Sequence, residues 1–357
     1  MLDNFSYSMP TKIVYGIDKL NDIDTYINGR KTLLITSEGF VKRGLVDRLK
    51  SLTNHISGVI TEVKSHPEFK DLEVTYNKIK EIDFELILAI GGGSVLDAAK
   101  FFSVQNENKD YSFVEDVIKG KRAKEGYSLT PMISVTTTAG TGSEITPWAT
   151  IWDMDEKKKY SLYLPDLFAE VALYDPTLTL SVPKEITIQT GLDTLSHALE
   201  SIWNKNANPI TLGYSIKAAK LIIANLVALS NDLENIEYRD NIMKACMYAG
   251  LAFSNTQTAI AHAMSYYITA HKGIDHGIAC SFTLPLLIDN VIGKHDFIDE
   301  AINEIFGELS SEKLRKILAQ LDVSTEFSDY GINKEELILI KQSLHNTQRA
   351  GNSLVKV

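Results

Sequence analysis

FELILAIGGGSVLDAAK, residues 84–100, is the stretch that decides the fold. Seven mostly apolar residues run to Ile90 and stop at Gly91-Gly92-Gly93. A short apolar run bounded by glycine reads as a strand buried on both faces, as in a parallel sheet. Ser94 then reads as the cap of a helix through about residue 104. Three glycines between strand and helix let the backbone approach a ligand closely, and the free N–H groups at the helix start favour a pyrophosphate there. The turn is not G-x-G-x-x-G, so taken alone it also fits a tight connection that uses glycine for positive φ.

Outward from this unit the alternation repeats. Residues 31–36 (KTLLIT) and 56–63 read as strands, 41–52 and 72–82 as helices, and 131–137 (PMISVTT) as a further strand. That last strand ends at Thr138-Ala139-Gly140-Thr141-Gly142, a second turn whose hydroxyls and N–H groups can hold phosphate or ribose oxygens. Strand–helix alternation predicts a parallel sheet with helices on both faces, and ligands at the carboxyl ends of its strands. After residue 183 the texture changes: residues 184–205, 210–231 and 236–254 carry apolar residues at helical spacing, and strands disappear. The expected architecture is α/β plus all-α, with a Rossmann-like dinucleotide-binding domain over 1–180 and a helical domain over 181–357.

Composition narrows the class. Of 357 residues, 44% are hydrophobic and 23% charged, and the formal charge of −10 argues against a general nucleic-acid binder. No uninterrupted apolar run approaches the ~20 residues of a membrane-spanning helix. The first residues, MLDNFSYSMPTKIVYG, lack the charged start and apolar middle of a signal peptide. The two cysteines, Cys246 and Cys280, lie in apolar surroundings and make a disulfide framework implausible. The expected setting is the cytoplasm, without nucleic-acid or membrane partners.

The helical half carries a second constellation. Asp193 and His197 stand four residues apart in GLDTLSHALE, so a helix projects carboxylate and imidazole from one face. His262 and His276 follow, the latter beside Gly277, where the backbone is expected to be uncrowded. One carboxylate and three imidazoles suit Fe²⁺ or Zn²⁺. Each residue also has a plainer reading, as a local helical pair or a packed histidine.

Together GGGSVLDAAK from residue 91, TTAGTGSE from 137, GLDTLSHALE from 191 and the spaced His262…His276-Gly277 segment resemble the iron-containing alcohol dehydrogenases, in order and spacing across roughly residues 5–290. The resemblance implies reversible hydride transfer between NAD(P)H and a small aldehyde or alcohol at Fe²⁺ or Zn²⁺, in a homodimer or larger homo-oligomer. By matched position, Asp193, His197, His262 and His276 are the implied metal ligands. Gly91, Gly92, Gly93 and Ser94 form the pyrophosphate turn, Asp97 lies near the nicotinamide end, Thr136, Thr137 and Thr141 contact the cofactor, and Lys159 reaches cofactor or substrate. Two departures stand out. Many members have a proton-relaying histidine at the place of Tyr266, which leaves Tyr266 or His271 as the relay, and a proline at the place of Asp275.

The stretch 262–280 (HAMSYYITAHKGIDHGIAC) is most similar to the shorter members that reduce phosphonoacetaldehyde, for which Lys159, His271 and Lys272 are candidate anchors of the anionic group. Dehydroquinate synthase-like lyases share the plan and form the alternative class. For cofactor choice, Ser37 stands where members specific for NAD often carry Asp, so NADPH is expected to be accepted, with Glu38 pointing away along an extended strand.

Overall fold

The computed structural model describes residues 4–156, 158–344, 347 and 349–354. They form two compact units. One comprises residues 10–138 and 143–179; the other comprises the N-terminal arm up to Met9, Ala139–Gly142 and the chain from Leu180 onward.

The first unit is built on β1 (Lys12–Tyr15), β2 (Thr32–Ile35), β3 (Ile56–Ile60), β4 (Leu86–Gly91) and β5 (Met132–Thr136), then an antiparallel hairpin of β6 (Trp148–Asp153) and β7 (Lys158–Tyr163), then β8 (Val171–Tyr174). The main sheet has the order β1-β8-β5-β4-β2-β3, and every neighbouring pair is parallel. Helices cover both faces. On one, Leu34, Leu88 and Ile90 pack with Leu45 and Leu49 of α1 (Leu45–Leu52). On the other, Leu33, Ile35 and Ala89 pack with α2 (Phe69–Ile79), α3 (Gly93–Ser103) and α4 (Tyr111–Ile118). Burial of both strand faces is why residues 84–90 read as a continuous apolar run rather than an alternating one.

Three local expectations are corrected. The helix over 41–52 is interrupted, because Gly44 adopts φ 79° between Glu38–Lys42 and α1. Ser94 is not the cap of α3; Gly92 is, and Ser94 sits inside the first turn. A Cβ on Gly92 would lie 3.2 Å from Thr138 Oγ1, a tight approach that a side chain there would have to push back by a few tenths of an ångström. The strands β1, β6, β7 and β8 were not read from the sequence; β1 and β8 are four residues long and β7 is rich in lysine and tyrosine.

The second unit is helical: α5 (Lys184–Ile202), α6 (Pro209–Asn231), α7 (Ile236–Thr256), α8 (Ile260–Lys272), α9 (His276–Ser281), then α10 (Leu284–Val291), α11 (Asp296–Phe306), α12 (Ser310–Gln320) and α13 (Lys334–Leu344). Two of its long helices start at strong caps. Asn208 and Thr211 form a reciprocal capping box with Pro209 at the first position of α6, and Asn235 accepts from the Glu237 and Tyr238 amides at the start of α7. Among the described residues α6 is the one helix long and apolar enough to cross a membrane, with 23 residues and a best-window mean hydropathy of 1.5. Lys217 and Lys220 interrupt it, and its Ala218, Ala219, Ile222, Leu226 and Leu229 are buried in the helical core beside α5 and α7. Of its most apolar window, 39% is buried.

Lys100 holds the first unit together from within. Its fully buried ammonium donates to Ser143 Oγ (3.1 Å), Thr146 Oγ1 (3.2 Å) and the Trp148 carbonyl (2.8 Å). Burial pulls its pKa down to about 8, although Asp97 and Glu144 oppose the shift. The unfolded chain, near 10.4, therefore binds this proton more tightly than the folded protein, and the stability contribution of Lys100 rises as pH climbs from about 8 towards 10. Urea titrations at pH 8 and pH 10 are expected to show wild type gaining roughly 2–3 kcal/mol relative to Lys100→Met over that interval. A pH-independent difference between the two proteins would show that Lys100 is not discharged in the fold.

Candidate active site

α5 brings three polar groups to one buried stripe. Asp193, His197 and Glu200 recur at i, i+4 and i+7 in a helix whose last twelve residues are all buried. His262 comes from the first turn of α8 and His276 opens α9. All three imidazoles turn Nε2 towards one atom, Asp193 Oδ1: His262 at 3.3 Å, His197 and His276 at 3.9 Å. Donor atoms around a tetrahedral ion with bonds near 2.1 Å are spaced about 3.4 Å apart. Asp193 Oδ1 and His262 Nε2 are also buried without a hydrogen bond of acceptable geometry. Two buried polar atoms facing each other unpaired suit common ligands of an ion.

Electrostatics agree. Burial works against the Asp193 carboxylate, yet His197, His262 and His276 outweigh it and hold the group well below the usual carboxylate range. Burial pushes His197 down to about 4, so it is neutral at pH 7 and its lone pair is available. The described donors fit a borderline divalent ion such as iron or zinc.

Several participants were not foreseen. Glu200 accepts from the Ala259 amide (2.8 Å), the Ala261 amide and His262 Nδ1 (2.6 Å), so it caps α8 and fixes the tautomer that points His262 Nε2 inward. It was visible as the last letter of GLDTLSHALE, on the same helical stripe. Cys280 places Sγ 3.6 Å from His276 Nε2, and its sulfur, Asp193, His262 and His276 offer atoms within 4.8 Å of one another. Its spacing of four from His276 on a helix was the available signal. Gly277 corrects an expectation: the backbone there is crowded, and a Cβ would lie 2.0 Å from the Gln189 carbonyl of α5. Asp275 is exposed and accepts from Gln189 Nε2 at 2.7 Å, so it does not point at the metal ligands.

The remaining residues divide. Tyr266 lies one turn along α8 from His262, with its ring parallel to His276 at 6.0 Å. His271 is nine residues from His262 on the same helix, about 13 Å along its axis. There it is exposed and stacks on Tyr267 at 4.1 Å. Lys272 is bound to Glu336 and to the Gly331 carbonyl at 2.6 Å, so its charge is already matched.

In the α/β unit the two glycine-rich turns leave adjacent central strands. Gly91 at the end of β4 pairs in register with Thr136 at the end of β5, and the Thr137 amide donates to the Gly91 carbonyl at 3.0 Å. The amides of Gly93 and Ser94 begin α3 without intrahelical acceptors, the arrangement that receives a pyrophosphate. Thr136 and Thr137 are buried here, whereas Thr141 lies in Ala139–Gly142, which packs with the helical unit. Asp97 has both oxygens engaged, by Ser143 Oγ and by the Thr150 amide at 2.8 Å. Burial raises its pKa, so it braces α3 against the segment after the second turn. Lys159 is half-buried with its ammonium 5.7 Å from the Trp152 ring. Ser37 caps the short helix Glu38–Lys42 and bridges to Glu62. The alternation argument does not hold at Glu38, because β2 ends at Ile35 and Glu38 already belongs to that helix, exposed and 3.7 Å from Lys42.

Residues 10–176 match the family described as iron-containing alcohol dehydrogenase, and residues 187–352 match the C-terminal part of the Fe-containing alcohol dehydrogenase family. The chain belongs to the iron-containing alcohol dehydrogenase family, a family of oxidoreductases. Among curated relatives, a sulfoacetaldehyde reductase of Bilophila wadsworthia is 28% identical over 96% of this chain and 94% of its own length. A choline dehydrogenase of Bacillus subtilis is 30% identical over 76% of this chain and 69% of its own length. A crystal structure of sulfoacetaldehyde reductase from Bifidobacterium kashiwanohense in complex with NAD+ superposes with a TM-score of 0.91 at 28% identity, covering 100% of this chain and 95% of that one.

His197→Ala is expected to remove one donor, so that purified protein binds Fe²⁺ or Zn²⁺ at least tenfold more weakly while the α/β unit keeps its far-ultraviolet dichroism. Elemental analysis after dialysis checks it, and full metal content with wild-type turnover would exclude His197 as a ligand.

Proposed function

We propose that this enzyme reduces a small aldehyde carrying an anionic head group, of the phosphonoacetaldehyde or sulfoacetaldehyde kind, with a nicotinamide cofactor. The observation that carries the reading is the convergence of three imidazoles on one buried, unpaired carboxylate oxygen. The two sulfoacetaldehyde reductases among the relatives, one of them bound to NAD+, support the substrate class and the cofactor. The similarity of residues 262–280 to phosphonoacetaldehyde reductases supports the same class from the sequence.

A bound divalent ion supplies a Lewis acid for the substrate oxygen, and the nicotinamide supplies the hydride. The chain's own residues set the conditions. Asp193, His197, His262 and His276 would hold the ion, with Glu200 fixing the orientation of His262. The Gly93 and Ser94 amides receive the pyrophosphate. Tyr266 Oη accepts from Arg349, and its ring lies alongside His276, one turn along α8 from His262. We assign Tyr266 the proton donor's place; His271, at the far end of α8, is too distant for it. The direct test is turnover with sulfoacetaldehyde and phosphonoacetaldehyde against propanal, using iron- or zinc-loaded enzyme. Oxidation of reduced cofactor in step with aldehyde loss is expected, and none with any aldehyde would refute the reading.

Tyr266→Phe is expected to lower kcat by about 10²-fold or more, within the range for general acid catalysis, and to change the pH profile. An unaltered rate and profile would leave Tyr266 as packing.

Cofactor choice follows from Ser37. A neutral hydroxyl in place of a carboxylate donates to a 2′-phosphate instead of repelling it. Lys42 lies 3.7 Å from Glu38 in an exposed pair and adds positive charge on that helix. NADPH is expected to be used at least as efficiently as NADH, and Ser37→Asp to shift the kcat/KM ratio towards NADH. A strong native preference for NADH would mean that a neighbouring carboxylate such as Glu38 or Glu62 reads the ribose.

A further inference from the structure

The metal-ligand cluster is open on one side only. Side chains of Asp193, His197 and His262 are 3–6% exposed, whereas that of His276 is 29% exposed. Tyr266 lies against His276 on that side, and Arg349, from the C-terminal segment, lies on Tyr266. Its guanidinium carbon is 4.7 Å from the centre of the ring, and Nη1 donates to Tyr266 Oη. That is the one hydrogen bond the Arg349 side chain makes among the described residues, which leaves most of its five N–H donors uncommitted. No carboxylate among the described residues forms an ion pair with it. The other cation nearby in sequence, Lys272, is taken by Glu336.

The charge count points the same way. Asp193 and Glu200 contribute two negative charges to the buried cluster, and a divalent ion cancels them. Arg349, close enough to Glu200 to feel its charge, then makes the loaded centre positive by one. A positive excess at the accessible edge attracts an anion, and a guanidinium fork matches two oxygens of a sulfonate or phosphonate.

From this arrangement we infer that Arg349 is the specificity-determining residue that receives the anionic head group of the substrate, at the His276 and Tyr266 edge of the cluster. The inference rests on the substrate class proposed above and deepens it. Arg349 touches the non-reacting end of the substrate, so its loss falls hardest on the anionic aldehydes, while any effect through Tyr266 lowers turnover of all aldehydes alike. The same guanidinium, bonded to Tyr266 Oη, keeps that hydroxyl turned to the substrate side.

The test uses metal-loaded full-length enzyme with reduced cofactor, in wild type, Arg349→Met and Arg349→Lys. Two readouts are taken: kcat/KM for sulfoacetaldehyde, phosphonoacetaldehyde and propanal, and inhibition of propanal reduction by ethanesulfonate and ethylphosphonate. In Arg349→Met the loss for the anionic aldehydes is expected to exceed the loss for propanal at least tenfold, and the inhibition constant of ethanesulfonate to rise at least tenfold. Arg349→Lys, which keeps the charge without the fork and the fold if methionine disturbs it, is expected to fall between. Equal losses for all three aldehydes, or unchanged inhibition constants, would overturn the inference, as would no inhibition of wild type by either anion. If wild type prefers propanal while Arg349→Met still weakens ethanesulfonate inhibition, the substrate class fails and the anion seat stands.

Discussion

The cluster depends on a buried carboxylate that is not itself a proposed ligand. Glu200 is fully enclosed and satisfies three amides at the start of α8 together with the Nδ1 of His262. One side chain of α5 thereby sets where α8 begins, how it is rotated and which nitrogen of His262 faces Asp193. Removing a partner from a buried charged network of this kind costs about 3–5 kcal/mol, because the groups left behind are desolvated and unpaired. The position of His262, and of Tyr266 one turn later, follows from that single contact.

A second constraint is steric. Gly277 lets α9 meet the backbone of α5 at Gln189, and Gly191 lies under Leu226 of α6, where a Cβ would sit 2.5 Å from Cδ1. Gly140 approaches Thr190 of α5 in the same way, at 2.6 Å from its Cβ. Helix α5 is therefore gripped on several sides at positions without side chains, and its polar stripe has no freedom to rotate. Sites whose supporting elements are fixed by close backbone approach are held more accurately than sites on loops. The same packing explains why a helix with a buried Asp, His, Glu, Ser and Thr is stable: its hydroxyls bond within the turn, Ser196 to Leu192 and Ser201 to His197.

Much of this was legible in the sequence, for identifiable reasons. The buried strands of the central sheet announce themselves because both faces need apolar residues, and the glycine-rich turns because only glycine permits the approach. Asp193 and His197 were readable from helical spacing. Glu200 and Cys280 obeyed the same spacing but look ordinary until the fold closes around them, since a glutamate on a helix is usually solvated and a cysteine usually packs. The cap at Gly92 rather than Ser94 was hidden because its reason is the nearby Thr138, a residue far along the chain. Short edge strand β1 carries too few residues to show a period. His271 and Lys272 are close to the ligands in sequence only: nine residues of helix separate the first from His262, and Glu336 pairs with the second.

Arg349 marks the limit of local reading. It stands 83 residues from Tyr266, in a segment with no apolar period and no motif, and only tertiary contact discloses its neighbour. Its placement also has a physical logic that the ligand set lacks. A divalent ion held by Asp193 and the imidazoles would be balanced by Asp193 and Glu200, so the ligands by themselves would give no preference for a charged substrate over an uncharged one. Preference must come from a charge outside that balance, near enough to act through a partly dry medium and exposed enough to be reached. A guanidinium is suited to this, because it stays protonated when partly buried and presents its donors in a plane. Burial pulls Arg349 down only to about 10, so it keeps its charge throughout the pH range in which the imidazoles bind metal.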